Sequence, residues 1–245
     1  MPRFFVSPDS VRENEIEITG IDVNHIRNVL RMQPGENVEV CDGKGNDYDC
    51  VIKGLERDSV LLDIEECRPS STELKKRIYL FQGLPKSDKM ELIIQKAVEL
   101  GVYEIIPTVT SRCIVKIDAK KEDKKISRWQ QIAEAAAKQS GRGIIPKIKA
   151  PMSLKEALEY AKSIDTVLIP YEKAEGIEAT RVILTKAQEG SSVAVFIGPE
   201  GGFEEKEIEL AEANGASAIT LGKRILRTET AGLCILSVLM MNFEE

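Results

Sequence analysis

The stretch that decides the fold is Ser191 to Met241, SSVAVFIGPEGGFEEKEIELAEANGASAITLGKRILRTETAGLCILSVLMM. Its first eight residues form an apolar run suited to a buried strand. FEEKEIELAEANG (203–215) has helical spacing, acidic residues in its first turn and Gly215 at its end, which predicts a helix. SAITLG (217–222) reads as a strand and TETAGLCILSVLMM (228–241) as an apolar closing helix. Strands alternating with helices imply a mostly parallel sheet covered on both faces. In such sheets ligands bind beyond the carboxyl ends of the strands. Two segments stand there: Gly198-Pro199-Glu200-Gly201-Gly202 and Leu221 to Ala231. Neither matches GxxxxGK[ST], and neither matches GxGxxG.

Working outward, the same rhythm begins near residue 73. RIYLFQGL (77–84), YEIIPTV (103–109) and DTVLIP (165–170) read as strands. Helices are expected over 87–101, with Ser87 as N-cap, and over 122–140, 153–162 and 177–188. Residues 1–68 differ. RFFV, EIEI, ENVEVCD, YDCVIKGL and SVLLDIEEC are short strand-like runs separated by Gly, Asn and Asp turns, a pattern suggesting a small β-barrel. One helix is expected at 22–32, with Ile26, Val29 and Leu30 on one face. Arg68 to Thr72 reads as a polar linker, so the expected domains are 1–70 and 73–245.

Composition excludes several classes. The 245 residues are 42% hydrophobic and 30% charged, with a formal net charge of -6, proportions of a globular rather than a disordered chain. No apolar run approaches the roughly 20 residues that span a bilayer. MPRFFVSPDS lacks the pattern of a signal peptide, so a cytoplasmic protein is expected. Five cysteines without CxxC spacing and a single histidine, His25, predict no metal site and mostly buried thiols.

The pair FIGPEGGFEEKEIELA and ITLGKRILRTETA resembles the cofactor-binding end of the SPOUT methyltransferases. More narrowly, the chain resembles the bacterial small-subunit ribosomal RNA uridine-N3 methyltransferases of RsmE type. MPRFFV, HIRNVLRMQPGENVEVCDGKG, LPKSDKMELIIQKAVELGV, IIPTVTSRCIVK, RWQQIAEAAAKQSGR and IPKI carry the likeness along nearly the whole chain. The resemblance implies an α/β fold: a PUA-like β-barrel followed by a SPOUT domain with a parallel sheet and a C-terminal trefoil knot. It also implies a homodimer, S-adenosylmethionine as cofactor, and methylation of N3 of uridine 1498 in 16S rRNA of the small ribosomal subunit. Cofactor-binding positions carried over are Leu168, Ile169, Pro170, Ile197, Gly198, Pro199, Glu200, Gly201, Gly202, Leu221, Gly222, Ile225, Leu226, Arg227, Thr230 and Ala231. The glycines would admit the backbone to the cofactor, and Ile197, Leu221, Ile225 and Leu226 would supply apolar walls. Arg227, with Arg224 second, is the candidate cation beside the uracil carbonyls. Glu229 or Glu200 is the candidate for the N3 proton, or merely for orienting an arginine.

RNA contacts implied by the matching motifs are Arg3, His25, Arg27, Arg31, Lys86, Arg112, Gln139 and Arg142, with Lys89, Lys116, Ser140 and Lys147 nearby. His25 reads slightly more readily as a cap or packing histidine than as a base contact. Trp129 at helical spacing favours packing over base stacking. The acidic total does not oppose an RNA partner, because residues 1–70, 71–150 and 151–245 carry -7, +8 and -7, and phosphate contacts depend on the local patch. Rival readings are another knotted methyltransferase acting on tRNA or a ribose hydroxyl, and a catalytically silent RNA-binding protein. The N-terminal barrel pattern opposes the first, and the intact glycine loops oppose the second.

Overall fold

The short β-branched runs of the first seventy residues pair into one curled sheet. The computed structural model describes residues 1–115, 119–174 and 176–244, with side chains of 119–121 left out. Strands β1 (Arg3–Phe5), β2 (Glu15–Thr19), β3 (Asn37–Cys41), β4 (Asn46–Leu55) and β5 (Ser59–Pro69) lie in the order β1-β3-β4-β5-β2. β1 pairs with β3 in parallel and the other pairs are antiparallel. Alternate residues Ile16, Ile18, Val38, Val40, Val60 and Leu62 point into a common core, as period-2 strands with one buried face require. This curled sheet is the small N-terminal β unit that the turn-punctuated runs suggest.

Three expectations here need correction. The helix placed at 22–32 is a short α1 (Ile21–Asn24) continued by a π-helical turn, His25–Val29. The wider i→i+5 turn, closed by Leu30 N–H donating to the His25 carbonyl, rotates the apolar face away. Ile26 is buried, but Val29 and Leu30 are exposed. Arg68 and Pro69 are not linker residues: they pair with Asp47 and Asn46 as the end of β5. Only Cys41 and Cys50 of the five free cysteines are buried, while Cys67 is exposed.

The rest of the chain forms a seven-stranded sheet in which every pairing is parallel. Its strands are β6 (Arg77–Gly83), β7 (Glu104–Val109), β8 (Lys147–Ile148), β9 (Met152–Ser153), β10 (Thr166–Pro170), β11 (Ser192–Ile197) and β12 (Ser217–Ile219). The order is β12-β10-β11-β6-β7-β8, with β9 beside β7. β8 and β9, two residues each, were not legible as strands. The helices are α2 (Lys89–Glu99), α3 (Ala119–Ser140), α4 (Leu154–Ala161), α5 (Ile177–Ala187), α6 (Glu205–Ala213) and α7 (Thr228–Phe243). Ser153 caps α4 in a reciprocal box with Glu156. Ser87 caps nothing: it has φ +55° and Asp88 holds the cap position. Trp129 is buried.

Burial on both sheet faces turns the strands into continuous apolar runs. On one face Phe81 stacks on Phe196 at 4.3 Å and packs with Leu154, Leu158, Ile208 and Ala211 from α4 and α6. On the other, α7 packs against α2 and β11. The molecule divides into two compact units, Met1–Glu73 with Ala137–Ile145, and Leu74–Ala136 with Pro146–Glu245. The turn after α3 thus groups with the first unit, where Gly143 takes a hydrogen bond from Gly45 N–H. Among the described residues, no helix is long and apolar enough to cross a membrane.

Candidate cofactor and active site

The carboxyl ends of β10, β11 and β12 converge in the second unit and open into a cleft of about 450 Å³. That volume lies in the range of small-ligand sites, roughly 300–1,000 Å³. Three loops line it: Pro170 to Glu172, Ile197 to Phe203, and Thr220 to Thr228, with Ala231 on α7. The middle loop can lie so close to β6 only because side chains are missing. A Cβ on Gly83 would meet Pro199 N at 2.6 Å, and one on Gly198 would meet Gly202 at 3.0 Å. Gly222, at φ +106°, turns the chain out of β12 in a conformation that strains other residues.

Most of the expected cofactor positions line this cleft: Pro170, Ile197 through Gly202, Leu221, Gly222, Ile225, Leu226, Arg227 and Ala231. Leu168 and Ile169 do not. They are fully buried within β10, because only the end of a strand reaches the loop layer. Thr230 is exposed on α7 and does not line the cleft. Ile225 borders it but is 88% exposed, so within a single chain it walls nothing off. Tyr171, Glu172, Phe203, Thr220 and Thr228 also line it; their contribution depends on where the loops fold, and no motif announces that.

Lys89 and Arg112, read in the sequence as RNA contacts, belong to the cleft. Lys89 Nζ stands 3.3 Å from Glu200 Oε1 and 3.3 Å from Glu229 Oε2. Glu229 therefore reaches the site through Lys89, with no lining contact of its own. Glu200 Oε1 also accepts the Lys86 N–H at 3.0 Å. Burial would raise the Glu200 pKa, but its own N–H, Lys86 N–H and Lys89 together hold it below the ordinary value. Glu200 is thus a fixed anion and a weaker base than a free carboxylate. Arg112 donates to the Gly201 carbonyl at 2.8 Å and packs its stem beneath Gly201.

Arg224 and Arg227 are exposed in the third loop, and neither guanidinium pairs with any described residue. Arg227 forms the N-cap position of α7, without a side-chain cap bond. Two unpaired cations over a glycine-rich floor suit a ligand that carries or develops negative charge.

The first unit pairs two of the expected RNA contacts with its own carboxylates. Arg142 is 3% exposed, and its Nη2 pairs with Glu73 at 2.5 Å. Arg3 is committed to Glu39 and to Asp47. Both cations are neutralised within the fold, Arg142 buried and Arg3 partly so, which leaves them less available to a phosphate than an unpaired cation. Arg27 donates to the Glu56 and Arg57 carbonyls and, with Asn24, Asn28 and Arg57, lines a second, polar hollow. His25 packs edge-on against Phe4 at 6.1 Å but stays exposed. Arg31, Lys86, Gln139 and Lys147 are exposed, and Lys116 lies outside the described residues. Burial pushes the Cys41 thiol up to about 11 and the Cys50 thiol to about 12, which leaves both inert as nucleophiles. No group of metal-holding side chains occurs among the described residues.

A parallel sheet with its loops gathered at one strand end, preceded by a small β-sheet unit, is matched by two family models. Residues 72–240 match the one described as RNA methyltransferase domain, and residues 18–65 the one described as RNA methyltransferase PUA domain. Ribosomal RNA small subunit methyltransferase E of Bacillus subtilis is 38% identical over 100% of this chain and 98% of its own. The protein of that name from Mesomycoplasma hyopneumoniae is 37% identical over 97% of this chain and 98% of its own. A crystal structure of the Neisseria gonorrhoeae protein of that name, bound to S-adenosyl methionine, superposes with a TM-score of 0.83 at 34% identity, covering 98% of this chain and 97% of that one. The chain belongs to the ribosomal RNA small subunit methyltransferase E family of RNA methyltransferases.

Proposed function

We propose that this protein transfers the methyl group of S-adenosylmethionine to N3 of a uridine in 16S rRNA, uridine 1498 by resemblance, working as a cytoplasmic homodimer. The observation that carries the reading is the cleft itself, with its glycine floor and the unpaired Arg224 and Arg227 at one loop. Family membership supports it, as does the cofactor in the Neisseria gonorrhoeae relative.

The residues fit such a cofactor. Main-chain groups of Gly198 to Gly202 and Leu221 to Gly222 offer donors and acceptors to a purine edge. Ile197, Leu221, Leu226 and Phe203 offer apolar walls, and Glu172 offers a carboxylate for hydroxyl or ammonium groups. Bound there, S-adenosylmethionine would supply an electrophilic methyl group on a positively charged sulfur. The chain's own residues do the rest. Arg227, with Arg224 second, stabilises charge spreading onto the uracil carbonyls as the N3 proton leaves. Glu200, which lines the cleft, or Glu229, linked to it through Lys89 at 3.3 Å, is the candidate carboxylate for that proton or for orienting an arginine. The new bond joins N3 to the methyl carbon as the carbon–sulfur bond breaks, so the rate rests on in-line positioning. Exposed Arg31, His25, Lys86 and Gln139, the half-buried Arg27 and the basic middle third of the sequence supply RNA contacts. The knot implied by the resemblance would thread the chain end through the loops that bind the cofactor.

Deleting the gene tests the substrate. N3-methylation blocks the pairing edge, so primer extension on small-subunit rRNA should stop at the site in wild type and read through in the deletion strain. An unchanged stop would refute the assignment, and failure of the pure protein to bind S-adenosylmethionine would sink the enzyme reading as a whole.

A further inference from the structure

Gln82, the penultimate residue of β6, is fully buried, and no motif singled it out. Its amide Nε2 donates to the Gly83 carbonyl at 3.0 Å and to Thr228 Oγ1 at 2.9 Å. Thr228 Oγ1 in turn donates to the Gly198 carbonyl at 2.6 Å. The direction of the chain is forced. A carbonyl only accepts, so the hydroxyl proton must go to Gly198, and the hydroxyl can then only accept from Gln82. Turning the amide over would set Oε1 against the Gly83 carbonyl, acceptor against acceptor. The amide oxygen is left with no partner, facing α7 at Gly232, where an added Cβ would stand 3.6 Å away. An apolar side chain would fill this interior without an orphaned acceptor, so the amide is present for what its nitrogen does.

Resting on the cofactor reading above, we propose that Gln82 is a positioning residue for the cofactor loop, acting through Thr228 on the Gly198 carbonyl. Thr228 stands between Arg227 and Glu229 at the start of α7, so one relay ties three things. It joins the strand end, the glycine loop that floors the cleft, and the helix turn that carries both charged residues.

Calorimetric titration of the full-length chain with S-adenosylmethionine, paired with thermal unfolding of the free protein, tests this. Thr228→Val keeps the shape and removes the hydroxyl, and binding should weaken by about 10-fold or more. Thr228→Ser keeps the hydroxyl and should bind within about twofold of wild type. Gln82→Met should lose as much as Thr228→Val, and the double variant should lose no more than either alone, since both break one chain. Wild-type affinity in folded Thr228→Val and Gln82→Met overturns the proposal, even if their melting temperatures fall, and so do additive losses. Should Gln82→Met fail to fold, the valine–serine contrast at 228 decides alone. A wild-type chain that does not bind overturns the cofactor reading and this one with it; a binding wild type with unaffected variants overturns this one only.

Discussion

Lys89 shows how much a single residue's meaning depends on its neighbours. In the sequence it is one of 34 basic residues; in the fold it spans Glu200 and Glu229 at the edge of the cleft. Arg227, by contrast, is unpaired, and that difference sets two predictions. Arg227→Ala should lower methyl-transfer turnover by about 10²-fold while cofactor affinity changes little; equal losses in the two measurements would make the arginine a cofactor ligand instead. Glu200 supplies a pH effect. Its folded pKa is held below the ordinary 4.5, so its contribution to stability is complete above the unfolded value and disappears as pH falls through the folded one. Melting temperatures followed down from about pH 6 should therefore fall on the acid side, and Glu200→Gln should flatten that limb. An unaltered acid limb in the variant would show that Glu200 is not held as described.

At the scale of elements, the site is made by strand ends and the caps of helices. The approach of β6 to the loop after β11 leaves no room at Gly83, where a Cβ would meet backbone at 2.6 Å. Gly83→Ala should cost about 1–3 kcal/mol in urea unfolding, as overpacking does, and should weaken cofactor binding as well. Ser153→Ala removes the capping box of α4 and should cost about 1 kcal/mol with cofactor affinity untouched. Identical binding profiles for the two variants would mean the glycine serves the scaffold and not the site. The helices and the longer strands were legible because their periodicity is local. The two-residue strands β8 and β9 were not, because they pair with β7, far back along the chain, and the π-helical turn at His25–Val29 was not, because a local i→i+5 bond leaves no mark on the residue pattern.

For the whole molecule, the open question is what covers α7. The helix is apolar nearly all round, and Met241 is 74% exposed with Val238 one turn before it. An apolar helix with an exposed face of that kind needs a partner, which supports the proposed homodimer. Sedimentation of wild type should give a dimer, and Val238→Glu with Met241→Glu should shift it to monomer. A wild type that sediments as a monomer would contradict the proposal. The exposed Ile225 at the rim of the cleft is expected to become protected from solvent in that dimer.

Composition, the alternation of strand-like and helix-like runs and the two Gly-containing segments marked this chain as a globular α/β protein with a loop-built site, and the order of its motifs marked the family. Those properties are written in local composition and spacing, and each residue carries its own share of them. Which arginines stay free was decided only by tertiary structure: Arg3 and Arg142 are paired with carboxylates, while Arg224 and Arg227 are not. The pairing of Lys89 and the Gln82 relay belong to the same category. A side chain's charge is intrinsic, but its availability depends on which groups the fold brings within a few ångströms, and those groups are up to 146 positions away in the chain.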